Sequence, residues 1–166
     1  MAISRYLATV LTVASAATAL SAASAAPASA AAPSPKALKA NVLKLTNAER
    51  AKAGCPALKF DAALAKAAQR HSVDMAGHDF VGHVGSGGST MVTRARAAGY
   101  TGWNSLAENV AAGQKTAAGV VKSWMKSPGH RANILNCSLE HLGVGHVKKP
   151  GTRYGTYWTQ DFGAKF

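Results

Sequence analysis

His83, Glu108 and His130 are the side chains whose chemistry stands apart in this sequence. Two neutral imidazoles and a carboxylate suit a borderline divalent metal such as zinc, with His83 and His130 as ligands and water in an open position. The same set could run general-base chemistry on a bound water, with Glu108 as the catalytic carboxylate. His130 has a local reason to stay neutral. Ser127 is a good helix N-cap and Pro128 suits the first helical position. His130 then falls in the first turn, near the positive end of the helix dipole, which disfavours imidazolium. Each residue also has a plain reading: Gly-His-Arg as a polar helix start, Glu108 as an exposed acid on a loop or short strand. The spacing is long-range and does not by itself bring the three together. No His-Glu-x-x-His helix, Gly-x-Ser-x-Gly elbow or phosphate loop is present, and Ser127 reads as a cap before a nucleophile.

The elements that must position these residues follow from periodicity and punctuation. His83 lies in a glycine-rich loop, Phe80 to Ser89. Before it, Leu38, Val42, Leu45 and Ala48 mark a helix over 36–53, stopped by Gly54. A turn at Cys55–Leu58 is expected to put Leu58 and Phe60 against the core. Asp61 caps a second helix with an inner stripe of Leu64, Ala68, His71 and Met75, so His71 reads as a core histidine with Asp74 as its local partner. Thr90 to Ala98 is a third helix, Tyr100 to Leu106 is irregular, and Ala107 to Ala111 is short and mixed. Thr116 caps a fourth helix carrying Val120, Val121 and Trp124, and the Ser127-Pro128 break starts a fresh one bearing His130. His141 to Val147 alternates, Pro150-Gly151 turns, and Gly155 to Phe162 is aromatic and β-branched, which makes a hairpin. Gly143 and Gly145 share one face, where a helix is expected to pack closely. The sum is an α+β domain, with helices first and a small antiparallel sheet at the end.

Arg5, the apolar Leu7–Leu20 stretch and Ala28-Ser29-Ala30 read as a secretory signal peptide over 1–30; the apolar stretch is too short and alanine-rich for a membrane span. Residues 31–37 read as a flexible N-terminus and 38–166 as one domain, secreted to the extracellular side, monomeric, with no transmembrane segment in the mature chain. In an exported protein the two cysteines, Cys55 and Cys137, read as a disulfide, worth roughly 4 to 5 kcal/mol in the chain-entropy model for a loop of about 80 residues, with measured values often lower; two free thiols are the alternative. The net charge of +12 favours anionic surroundings, although a solvated basic surface typical of a secreted protein is the better reading. The basic residues are spread along the chain with no aromatic-basic motif, which argues against specific nucleic-acid binding.

The runs Thr46-Asn47-Ala48-Glu49-Arg50, His71-Ser72-Val73-Asp74-Met75-Ala76, Phe80-Val81-Gly82-His83, Glu108-Asn109-Val110-Ala111-Ala112-Gly113 and Trp124 to Leu135 occur in one order. With Leu142-Gly143-Val144-Gly145 and Tyr157 to Gly163, they resemble the CAP superfamily of cysteine-rich secretory, antigen and pathogenesis-related proteins in its bacterial form. The resemblance implies an α-β-α sandwich with a central antiparallel sheet and a surface cleft. It implies that His83 and His130 match the family's two histidines, which can hold a divalent metal such as zinc, and that Glu108 matches its first acid. Ser127 occupies the second acid's position, and His71 and Asn109 join it as cleft-lining residues. Family members have been linked to lipid binding, proteolysis and cell-surface roles, so fold alone does not settle function. Two readings remain. One is a non-enzymatic binding domain whose partner is lipid, cell-envelope polymer or a secreted or surface protein. The other is a metal-dependent hydrolase using His83, His130 and Glu108. A purely structural role for the polar groups is a third.

Overall fold

The computed structural model describes Met1 and residues 33–166; the leader and its cleavage positions lie outside the described residues. Ser34 accepts the N–H of Ala37 and Pro35 occupies the first turn, so α1 runs Pro35–Lys52. It therefore begins inside the 31–37 stretch expected to be flexible, because the cap and the proline pre-organise that turn. The remaining elements are β1 (Lys59–Phe60), α2 (Ala62–His78), α3 (Met91–Ala98), β2 (Trp103–Ala112), α4 (Ala117–Lys126), α5 (Pro128–Ile134), β3 (His141–Lys148) and β4 (Thr156–Lys165). Among the described residues no helix is long and apolar enough to cross a membrane.

The strands form one sheet in the order β1-β3-β4-β2. β3, β4 and β2 are antiparallel, and the two residues of β1 pair parallel to β3. The sheet is thus more than a terminal hairpin. β2 enters it between α3 and α4 in the chain, as an edge strand reaching back to Trp103, where an irregular segment was expected. Its run carries Asn104, Glu108 and Asn109, which hide its strand character from propensity, and its place is set by pairing with β4.

Alternation along the strands sorts the two layers. Gly143 and Gly145 face α2, and a Cβ on either would overlap the α2 backbone at Leu64–Ala65 and Ala68–Gln69. Their lack of a side chain lets α2 lie flat on the sheet, with α3 beside it. On the other face Leu142, Val144, Trp158 and Phe162 form the main core with Val42, Val120, Val121, Trp124 and Ile134 from α1, α4 and α5. Leu58 joins this core, but Phe60 is 64% exposed, because β1 is only two residues long and α1 does not close over it.

One corner is fixed by Arg50, which is fully buried and donates to the carbonyls of Pro56, Ile134, Asn136 and Leu139. Beside it Cys55 and Cys137 are joined in a disulfide. Together they anchor the end of α1 to the segment that follows α5.

Candidate functional site

The site straddles edge strand β2, and consecutive residues of that strand serve its two sides. Glu108 points to the α2 layer. Its Oε1 accepts from His83 Nδ1 at 2.8 Å and its Oε2 from Arg94 of α3. Asn109 points the other way and is fully buried. It donates to the backbone carbonyl of His130 at 3.1 Å and accepts from Asn133 at 2.9 Å, and Asn133 also donates to Glu108 O. Glu108 thus orients one histidine and Asn109 moors the short helix that carries the other.

The glycine-rich loop is held at several points. Arg94 donates to the carbonyls of His83 and Ser89. His71 Nε2 donates to Gly82 O at 2.7 Å. Asp74 accepts both the backbone N–H and the hydroxyl of Ser86. A Cβ at Gly85 would press on Asp74 and Ser89, so the loop needs glycine there to sit this close. Asp74 therefore serves the loop and His78, and the expected local pairing with His71 is replaced by that tether.

His83 has a side chain 58% exposed, while Glu108's is 3% exposed. With Nδ1–H on Glu108, His83 presents Nε2 to solvent as a lone pair able to accept a proton or meet a ligand. Glu108 is buried, where an exposed acid was the plain reading, because Arg94 compensates its charge. Half-buried His130 is held below the ordinary imidazole range, first by burial and then by the repulsion it would meet from a protonated His83 nearby. His71 lies 4.0 Å from Glu108 and is depressed by burial, so it is a neutral core histidine, though its Nδ1 has no partner. Ser127 is half-buried at the start of α5 and makes no side-chain cap bond.

Two residues of this cluster were not singled out from sequence. One is Arg94. The other is Asp161, paired directly across β2–β4 with Glu108 and fully buried, where its protonated carboxyl can share a hydrogen bond with Glu108. Burial and the adjacent Glu108 push its carboxyl well above the usual range, so it is protonated where surface acids are ionised. A lone acid in an otherwise aromatic and β-branched strand was the available signal.

Among the described residues no group of three or more His, Cys, Asp or Glu side chains is arranged to hold a metal ion. His83 and His130 supply two nitrogens, fewer than the three protein ligands of a catalytic zinc site. Glu108 is already committed to His83 and Arg94. The donor set does not amount to a closed metal centre.

Among the described residues, helices cover both faces of a four-stranded sheet, a helix-sheet-helix sandwich. The chain belongs to the CAP, or cysteine-rich secretory protein, family, whose model matches residues 43–162. It is 40% identical over 129 residues to the uncharacterized protein YkwD of Bacillus subtilis, covering 78% of this chain and 48% of that protein. It is 33% identical over 121 residues to the uncharacterized membrane protein YlbC of the same organism, covering 73% of this chain and 33% of the relative. The chain therefore spans about half or less of the curated relatives it matches. Among solved structures, an extracellular SCP-domain protein from Bacillus anthracis superposes with a TM-score of 0.67 at 29% identity, covering 82% of this chain and 45% of that one. An outer surface protein of Borrelia burgdorferi shares the fold, with a TM-score of 0.68 at 21% identity over 75% of this chain and 90% of that one.

Proposed function

We propose that this chain is an exported, monomeric binding domain that works at or near the cell envelope. It takes an amphiphile with an apolar chain and an anionic head into the groove between α1 and α4. The observation that carries this reading is the groove itself, about 940 Å³, walled by Leu38, Leu45 and Ala117 and ringed by Lys44, Lys115 and Lys148. His146 lines it as well, stacked on Trp158 with ring centroids 4.0 Å apart. It is 8% exposed, its Nε2 has no partner, and burial and Lys39 hold it neutral. Apolar walls favour a hydrocarbon chain, while lysines and an unpaired imidazole nitrogen suit a carboxylate or phosphate. Export is supported by the disulfide, which belongs to oxidising compartments, and by the sequence signals over 1–30. Calorimetric titration with dodecanoate tests the reading. Saturable binding near one equivalent, weakened in Lys44→Glu/Lys148→Glu, is expected, and heats without saturation would overturn it.

A second reading, a divalent-metal-dependent hydrolase, rests on the His83–Glu108 bond, which leaves His83 Nε2 outward. In it His83 and His130 would hold zinc, and zinc would supply an activated water. Against it stands the commitment of both Glu108 oxygens. Zinc calorimetry on wild type, His83→Ala and His130→Ala decides: one equivalent lost in both variants would support it, and absence of binding would remove it.

A further inference from the structure

We propose that the face formed by Phe60, Lys36 and Lys39 seats this domain on an anionic lipid surface. Apart from the two chain ends, Phe60 is the most exposed large apolar side chain among the described residues. It projects from β1 beside a second groove, of about 390 Å³, that lies on the opposite side of α1 from the α1–α4 groove. Ala40, Leu43 and Ala65 wall it, Leu142 and Val144 of β3 form its floor, and Lys36 and Lys39 stand at its rim. No acid lines it.

The charges there are available. Among the described residues neither Lys36 nor Lys39 is paired with a carboxylate. Lys39 Nζ rests at 3.2 Å on Gln69 Oε1, a neutral partner that leaves its charge uncompensated. The neighbouring acid, Asp61, is occupied in capping α2 through the N–H of Leu64.

A protruding aromatic beside an apolar hollow, collared by ammonium groups, matches the boundary of an anionic bilayer. The ring and hollow meet acyl chain, and the lysines meet phosphate. A second copy of the chain fits worse. A two-fold contact would bring Lys36 and Lys39 towards their own equivalents in a chain of net charge +12. The face uses other residues than the α1–α4 groove, so either proposal can fail alone.

The test is flotation of the full chain with phosphatidylcholine vesicles, with and without phosphatidylglycerol. Whatever residues 1–32 contribute is then common to every variant. Wild type should partition onto the phosphatidylglycerol vesicles and detach as salt rises. Lys36→Glu/Lys39→Glu should lower the partition coefficient by about tenfold or more, since each charge near such a surface is worth roughly fivefold. Lys122→Glu/Lys126→Glu on α4, with the same change in net charge, should lower it far less. Phe60→Ser should weaken binding while leaving the dodecanoate titration unchanged, and Phe60→Trp, an interfacial aromatic, should preserve binding. Equal losses from the two charge-reversal variants would mean diffuse attraction and overturn the proposal. So would unaltered binding in Phe60→Ser, a loss in Phe60→Trp matching that in Phe60→Ser, or a concentration-dependent dimer abolished by Phe60→Ser.

Discussion

Replacing Asp161 with asparagine should change the pH dependence of stability in a direction and size that follow from its surroundings. Its carboxyl is fully buried opposite Glu108, and its affinity for a proton is raised by burial, by the charge of Glu108 and by a hydrogen bond to it. In the unfolded chain the same group has a pKa of about 3.9. Below that value both states are protonated and the carboxyl contributes no pH-dependent penalty. As pH rises above it, the unfolded state gives up a proton that the folded state keeps. Folding then loses about 1.4 kcal/mol per pH unit until the folded-state pKa is reached. Asparagine carries no such proton. The stability of Asp161→Asn minus that of wild type should therefore climb by about 1.4 kcal/mol per unit from about pH 4.5 upward, or roughly 3 to 5 °C in melting temperature. Other titrating groups largely cancel in the difference. Urea unfolding of both proteins across that range, with the disulfide intact, supplies the measurement. A difference that stays flat with pH would mean that Asp161 titrates as a surface acid and would refute the reasoning.

Arg94→Met should destabilise the fold by about 3 to 5 kcal/mol, because it leaves the buried Glu108 uncompensated. It should also speed amide exchange in the Gly82–Ser89 loop; slow exchange there would show that other contacts hold the loop. Gly145→Ala should cost about 3 kcal/mol, since its Cβ would overlap Ala68 of α2; a melting temperature equal to wild type would contradict the close packing. Cys55→Ser/Cys137→Ser opens a bridge between residues 82 apart in sequence and should lose about 2 to 4 kcal/mol. Denaturant midpoints check it, and intact mass after alkylation of wild type should show no free thiol.

Much of the frame was legible because local signals and global packing agree. Asp61 and Thr116, read as caps from the sequence, each sit at a helix start and accept a backbone N–H. Gly143 and Gly145, alternating on one face of β3, announced a helix lying against them, and α2 is there. β2 was not legible as a ten-residue strand. Its polar residues bond to the histidine segments on either side, and those contacts mask its propensity. Phe60 was misplaced because alternation from Leu58 predicts burial, whereas the outcome depends on how far α1 extends over a two-residue strand. Of the site, His83, Glu108 and His130 were candidates whose spacing did not bring them together, and the structure supplies the bond between His83 and Glu108. Arg94 and Asp161 reach Glu108 only through the register of β2 on β4 and the packing of α3, long-range facts that spacing along one chain does not carry.

The calorimetric titration of dodecanoate into wild type and Lys44→Glu/Lys148→Glu bears most directly on the central claim, that the groove between α1 and α4 receives an anionic amphiphile. The account predicts saturable binding near one equivalent in the wild type and clearly weaker binding when two of the rim lysines are reversed. Absence of saturable binding, or equal binding in both proteins, would contradict it.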